Sequence, residues 1–204
     1  TTETAETETA TEEQSEVIPV KFEELQAVNP DVYAWITVPG TDIDYPILQH
    51  ASDNSYYLMH NIDGSYGYPG CIYTENMNSK DFTDNNTVIY GHNMKNGSMF
   101  GTLKQYKLQE TIDKSPYFWV ITPKEAYKYK IFAMYVANVD GDTYTLIKGP
   151  GKETIEYGES MKAKSLINTG DYQFKQTDKI VTLSTCTGDS ATRFVVQGVR
   201  IEPD

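Results

Sequence analysis

The stretch KIVTLSTCTGDSATRFVVQGVRI, residues 179–201, gives the strongest indication of the fold. Two runs rich in β-branched and other apolar residues flank the polar connection 187–192. Such runs on either side of Gly, Asp and Ser predict two strands joined as an antiparallel hairpin. A hairpin of this length brings Cys186, at the end of the first strand, close to Arg193, at the start of the second. Side chains at strand ends project onto a surface that a rigid scaffold supports, so this hairpin is a candidate site.

Further short runs of β-branched and aromatic residues predict strands along most of the chain. The predicted strands cover residues 33–38, 43–48, 70–74, 87–90, 117–122, 127–139, 179–185 and 193–201. The predicted helical segments cover residues 20–28, 55–59, 98–106 and 154–167. About eight short strands with few helices predict a mainly β protein, a closed or nearly closed β-barrel with a few peripheral helices.

Negative charge is concentrated at the amino-terminal end. The 204 residues include 17 basic and 29 acidic side chains, for a net charge of −12, and six of these charges lie in residues 1–16. That segment is made almost entirely of Thr and Glu, so we expect a flexible stalk over 1–16 and one folded domain over 17–204. This charge balance excludes a basic nucleic-acid binder and a polybasic membrane-surface binder.

Neither a membrane helix nor a metal site is predicted. No apolar run approaches the roughly 18–20 residues of a membrane helix, and no signal-peptide segment is present, so we expect a cytosolic protein or a chain that begins after an anchor. The two cysteines, Cys71 and Cys186, cannot form a disulfide framework, and no Cys/His cluster has zinc spacing. We therefore expect no metal and no cofactor.

Cys186 beside Arg193 is a candidate nucleophile. A thiol next to a guanidinium lies in an electropositive setting that favours the thiolate. The same guanidinium can stabilise an oxyanion that develops on a substrate carbonyl. The alternatives are that Cys186 is a small buried core residue and that Arg193 forms a surface ion pair.

His92 is a candidate acid/base. It follows the predicted strand 87–90 and Gly91, and it lies in a polar loop, where a histidine can exchange protons with a substrate. The alternative is an exposed loop histidine without a catalytic role. We give that ordinary interpretation to His50 and His60.

Several segments match a known family in the same chain order. They are WITVPGTDIDYPI at 35–47, NSYYL at 54–58, NTVIYGHNMKNGSMF at 86–100, and TLSTC at 182–186 followed by RFVV from 193. Together they resemble the class B sortases, which are cell-wall sorting cysteine transpeptidases of Gram-positive bacteria. The resemblance extends over about residues 20–202 and implies a sortase-like β-barrel, with the catalytic domain over 17–204.

The resemblance implies His92, Cys186 and Arg193 as the catalytic residues. Cys186 would attack the Thr carbonyl of an Asn-Pro-x-Thr-Gly/Asn-type sorting signal on a surface protein and form a thioester acyl-enzyme. An amine of the peptidoglycan precursor would then accept the acyl group. His92 would transfer the protons, and Arg193 would hold the substrate backbone and the oxyanion.

The resemblance also implies substrate-binding residues: Asn54, Leu58, Ser184 and Thr185. For Asn54 the alternative is a helix cap or turn former, and for Leu58 it is core packing. No motif of the family places a catalytic thiol at Cys71, so we expect that thiol to be buried and inert.

Two features depart from the family pattern. The connection between Cys186 and Arg193 is short, and we expect the family's amino-terminal membrane anchor to be missing from these residues. The resemblance implies an enzyme at the extracellular face of the cell membrane, with a single-pass anchor in the full-length protein. Residues 1–16 would be the stalk between that anchor and the domain.

Other functions remain open at this point. A pilin-polymerising sortase would use the same catalytic residues with a pilin lysine as the nucleophile. A cysteine peptidase would use the same nucleophile and base but release an acid. A non-catalytic β-barrel surface-binding module would leave Cys186 merely packed.

Overall fold

The computed structural model describes residues 20–202. The strands are β1 (Val32–Val38), β2 (Ile43–Leu48), β3 (Ile72–Thr74), β4 (Asn86–Tyr90), β5 (Tyr117–Ile121), β6 (Ala126–Asn138), β7 (Ile180–Cys186) and β8 (Thr192–Ile201). They form a closed barrel in the order β1-β2-β3-β4-β7-β8-β6-β5, which confirms the predicted mainly β barrel. The predicted stalk, 1–16, lies outside the described residues.

The helices of the described residues are short and lie around the barrel. They are α1 (Phe22–Val28), α2 (Gln109–Lys114) and α3 (Lys152–Ala163), with 3-10 turns at Tyr56–Leu58, Leu103–Lys107 and Asp142–Tyr144. The helix predicted over 154–167 ends earlier, because the chain turns to bond the edge of β6. The Leu166 N–H donates to the Met134 carbonyl at 2.8 Å, and the Met134 N–H donates to the Ser165 hydroxyl at 3.2 Å.

β7 and β8 are buried on both faces, and even their polar residues Thr182 and Gln197 are fully buried. Leu183 and Val196 point into the barrel interior, where they join the largest core cluster. Ile180 and Val195 belong to a second cluster, which also contains Tyr157 of α3. This double burial fixes the register of the hairpin, since a slip by one residue would exchange its two faces.

The pairing of β7 brings three chain segments to one end of the barrel. β4 runs parallel to β7, with Tyr90 opposite Ser184, so both strands finish at the same edge. β8 runs antiparallel to β7, with Arg193 opposite Cys186, so β8 begins at that edge. The chain just after β4, the last residue of β7 and the start of β8 therefore meet there.

Candidate active site

An open groove of about 520 Å³ lies at this end of the barrel. Its walls come from the segment before the 3-10 turn at Tyr56–Leu58, from the loop that precedes β3, and from the strands β3, β4, β7 and β8. The lining residues are Asp53, Asn54, Ser55, Leu58, Tyr68, Tyr73, Tyr90, Gly91, His92, Ser184, Thr185, Cys186 and Arg193. The structure thus brings all seven residues suggested by the sequence, catalytic and substrate-binding, to a single groove.

Cys186 and Arg193 are held by the short connection between β7 and β8. The Asn93 amide donates to the Cys186 carbonyl at 2.9 Å, which fixes the end of β7 against the histidine loop. Nη1 of Arg193 donates to the carbonyls of Ser190 at 3.1 Å and Thr192 at 2.7 Å. The connection therefore folds back onto the guanidinium, and the strand register places Arg193 opposite Cys186, whose thiol is partly exposed.

His92 is bound through one ring nitrogen to the opposite wall of the groove. Its Nε2 lies 2.5 Å from the main-chain carbonyl oxygen of Leu58. A carbonyl oxygen can only accept a hydrogen bond, so Nε2 carries the proton in this contact. Nδ1 is then the ring nitrogen left to exchange a proton. The Tyr68 ring, with its centroid 5.0 Å from that of the imidazole, covers the histidine on one side.

The residue before His92 ties the histidine loop to β7. The Gly91 N–H donates to the Ser184 carbonyl at 3.1 Å, and the Gly91 carbonyl accepts from the Thr185 hydroxyl at 2.7 Å. A Cβ at Gly91 would lie 2.5 Å from a methyl carbon of Ile72 and 2.8 Å from a ring carbon of Phe100, and both side chains are buried. A larger residue would therefore have to displace one of these core side chains or the loop.

Asn54 and Leu58 line the groove in different ways. The Asn54 amide donates to a carboxylate oxygen of Glu75 at 2.6 Å, and its carbonyl oxygen accepts from the Asn76 N–H at 2.8 Å. Asn54 therefore braces two walls of the groove. The Leu58 side chain is 37% exposed, so it is an open part of the wall and does not belong to the core.

Ser184 and Thr185 lie on opposite faces of β7, as neighbours on a strand must. Ser184 shares the face of Cys186, and its hydroxyl lies 2.8 Å from the Tyr144 hydroxyl. The Thr185 hydroxyl is committed to the Gly91 carbonyl. Both side chains are buried, so they form the floor of the groove beside the thiol.

Sequence reasoning did not identify four tyrosines at the groove: Tyr68, Tyr73 and Tyr90 line it, and Tyr144 contacts Ser184. Burial raises the pKa of Tyr73 to about 12, and the pKa of Tyr90 is raised further by burial and by the Glu75 carboxylate. Both phenols stay protonated near neutral pH, and the Tyr90 hydroxyl donates to Glu75 at 3.1 Å. Tyr90 directly precedes Gly91 and His92 in the sequence, so its place near the groove could have been predicted. The contact between the hydroxyls of Tyr144 and Ser184 has no local signal in the sequence.

Cys71 lies outside the groove, against a separate apolar cavity of about 260 Å³. It is 6% exposed, and its thiol contacts the His60 carbonyl at 3.4 Å. Burial raises the pKa of this thiol to about 12, and the Asp63 carboxylate adds to the effect. The thiol is therefore protonated under ordinary conditions.

Two further observations concern residues 20–202. They contain no group of three or more His, Cys, Asp or Glu side chains arranged to hold a metal ion. No helix in this range has the length and apolar character needed to cross a membrane.

Comparisons with known proteins agree with the geometry. Residues 36–201 match the family model described as the sortase domain. Sortase B of Listeria monocytogenes is 36% identical over 184 residues, which cover 87% of this chain and 73% of that protein. Sortase B of Staphylococcus aureus is 28% identical over 166 residues, which cover 81% of this chain and 67% of that protein.

Solved structures show the same architecture. Clostridium perfringens sortase B superposes with a TM-score of 0.81 at 32% identity, covering 89% of this chain and all of that one. A Staphylococcus aureus sortase B–substrate complex gives a TM-score of 0.81 at 27% identity, covering 90% of this chain and 85% of that one. The chain therefore belongs to the sortase family, and within it to the class B sortases, which are cysteine transpeptidases.

Proposed function

We propose that this chain cleaves an Asn-Pro-x-Thr-Gly/Asn-type sorting signal after Thr and transfers the protein to a peptidoglycan amine. Sortases are cell-surface enzymes that attach surface proteins bearing a sorting signal to the cell wall. The finer assignment rests above all on one observation: Cys186, His92 and Arg193 line the same groove.

In the first half-reaction, the Cys186 thiolate attacks the Thr carbonyl carbon and forms a tetrahedral oxyanion. Collapse of this intermediate breaks the C–N bond to the next residue, and His92 gives a proton to the leaving amine. The products are a thioester on Cys186 and the released carboxy-terminal part of the signal. Because Nε2 is bound to the Leu58 carbonyl, we assign the transferred proton to Nδ1 of His92.

In the second half-reaction, an amine of the peptidoglycan precursor attacks the thioester. His92 takes the proton of the attacking amine, the new amide bond forms, and the thiolate of Cys186 leaves. Hydrolysis replaces transfer only when water takes the place of the amine.

We assign the oxyanion to Arg193. Its Nη1 is engaged by the carbonyls of the β7–β8 connection, which fixes the plane of the guanidinium. The Nε and Nη2 hydrogens are then the donors for the developing charge. A donor that is oriented before the reaction stabilises the transition state without reorganising.

We assign the sorting signal to the groove formed by Leu58 and Tyr68 on one side and by β7 on the other. Leu58 offers apolar contact, and Ser184 and Thr185 form the floor next to the nucleophile. Asn54 supports this wall through Glu75 and, in our proposal, also binds the signal backbone. A Staphylococcus aureus sortase B of the same fold has been solved as a substrate complex, which supports placing substrate here.

We also propose that the domain acts at the extracellular face of the cell membrane. The full-length protein would carry a single-pass anchor, and residues 1–16 would be the stalk that separates it from the domain. The acidic Thr/Glu composition of this segment suits a solvated spacer.

The test is a panel of fluorescence-quenched sorting peptides, each incubated with and without a peptidoglycan-derived amine and analysed by mass spectrometry. We expect cleavage after Thr and an amide product that increases with amine concentration. Hydrolysis that no amine accelerates would support a cysteine peptidase instead. A product formed only with a pilin domain would support the pilin-polymerising alternative.

A further inference from the structure

The Leu58 carbonyl that contacts His92 belongs to a loop that closes on itself. The Cys71 N–H donates to the Tyr57 carbonyl at 3.0 Å, which joins the two ends of the loop. Gly70, next to Cys71, donates its N–H to the side-chain oxygen of Asn61 at 3.0 Å. The Leu58 carbonyl that binds the imidazole therefore lies on one side of the loop, and residues 70 and 71, on the other side, pack directly against that side.

Gly70 is the point of closest approach between the two sides of this loop. Its φ is +67°, in the left-handed region that favours glycine. A Cβ at this position would lie 2.5 Å from the Tyr57 carbonyl oxygen and 2.7 Å from the Leu58 carbonyl oxygen. Both are main-chain atoms, so a larger residue could be accommodated only if residue 70 and these two carbonyls moved apart.

The same loop contains a matched glycine that lacks this contact. Gly64 has a φ of +80°, so it has a similar backbone requirement. A Cβ at Gly64 would meet no atom within 4 Å. An alanine at either position would strain the backbone in a similar way. Only at position 70 would its methyl group also clash with the Leu58 carbonyl, so the two substitutions separate these effects.

We propose that Gly70 is a positioning residue for the reaction, because its bare Cα allows the Leu58 carbonyl to hold His92 with the proton on Nε2. The inference rests on the proposed role of His92 as the acid/base. The hydrogen bond made by one imidazole nitrogen decides which nitrogen carries the proton. Displacing the carbonyl frees Nε2, and the proton then distributes over both ring nitrogens and the ring loses its orientation.

The experiment compares Gly70→Ala with Gly64→Ala in the whole chain. Long-range proton–nitrogen spectra of ¹⁵N-histidine-labelled protein report which ring nitrogen carries the proton, and His92→Ala assigns the signals. We expect neutral His92 to be the Nε2–H tautomer in the unchanged chain and in Gly64→Ala, and a mixture of tautomers in Gly70→Ala. We expect kcat to fall about 100-fold in Gly70→Ala, with KM little changed, because a small misplacement of a catalytic group costs this much.

Three results of this comparison would overturn the inference. The first is an Nδ1–H tautomer in the unchanged chain, which needs no change at Gly70. The second is an unaltered tautomer or kcat in folded Gly70→Ala. The third is an equal loss in Gly64→Ala, which would indicate general loop strain.

A second variant covers the case in which Gly70→Ala does not fold. Asn61→Ala removes the acceptor of the Gly70 N–H without a steric clash, so we expect a partial shift toward mixed tautomers and a smaller fall in kcat. An unchanged His92 signal and kcat in this variant would overturn the inference. The proposed acid/base role fails separately, if His92→Ala keeps full activity.

Discussion

The two thiols of this chain show how strongly position decides the chemistry of one residue type. Cys186 ends β7 at the open groove, partly exposed and opposite Arg193. Cys71 precedes β3, contacts a main-chain carbonyl and has the Asp63 carboxylate nearby, so its pKa rises to about 12. A thiol becomes a usable nucleophile when substrate can reach it and a cationic neighbour favours the thiolate. Burial beside a carboxylate blocks the approach of substrate and disfavours the thiolate.

The largest expected effect separates the two thiols directly. Cys186→Ala should abolish cleavage and amide formation, because alanine supplies neither the nucleophile nor the thioester leaving group. Cys71→Ala should leave turnover nearly intact. Both are measured with a fluorescence-quenched sorting peptide, and circular dichroism checks folding. Full activity in folded Cys186→Ala would contradict the assignment of the nucleophile.

Alkylation should distinguish the thiols without any substrate. A pKa of about 12 keeps nearly all Cys71 side chains protonated at pH 8. We expect iodoacetamide to label Cys186 stoichiometrically in the native protein and Cys71 only after denaturant is added. Peptide mapping by mass spectrometry locates the label. Equal labelling of both thiols in the native state would show that Cys71 is accessible.

A third prediction concerns the cationic neighbour of Cys186. Arg193→Ala should lower kcat/KM by about 10²–10³, the usual cost of losing an oxyanion donor. Arg193→Lys should recover only part of this, because an ammonium lacks the fixed fork of donors. The measurement is steady-state kinetics with the same peptide.

Arg200, on the same strand, provides the control. It donates to the Phe82 carbonyl at 2.7 Å and stacks on Tyr127 at 3.7 Å, and it does not line the groove. Arg200→Lys should lower the melting temperature but keep kcat/KM. If Arg193→Lys and Arg200→Lys had equal effects on turnover, Arg193 would have no special role.

The smallest expected effect is on stability at alkaline pH. Folding raises the pKa of Cys71 from 9.0 to about 12, so below pH 9 both folded and unfolded chains keep the proton. As the pH rises from about 9 to about 12, only the unfolded chain loses it, and the free energy of unfolding falls by at most about 1.4 kcal/mol per pH unit. Urea unfolding of Cys71→Ala should therefore show a shallower decline than the unchanged chain. Parallel declines would mean that Cys71 titrates normally in the folded protein.

The sequence predicted local features well and distant contacts only through the family resemblance. The approach of Cys186 to Arg193 follows from one short hairpin, so spacing alone predicts it. His92 reaches the same groove only because β4 pairs with β7, and hydrophobic patterns do not say which strands pair. The helix α2 was not predicted, because it buries only Ile112 and leaves little periodicity. The contact between Tyr144 and Ser184 spans 40 residues and has no local signal.

The parallel pairing of β4 with β7 also determines when the chain acquires activity during folding. The bond between Thr185 and Gly91 joins residues 94 positions apart, so its formation must offset the loop-closure entropy of nearly half the chain. Non-local pairings of this kind form slowly. Cys186 and His92, the proposed nucleophile and acid/base, therefore come together only when β4 and β7 have paired. Acyl transfer by the proposed mechanism therefore requires this long-range pairing to have formed.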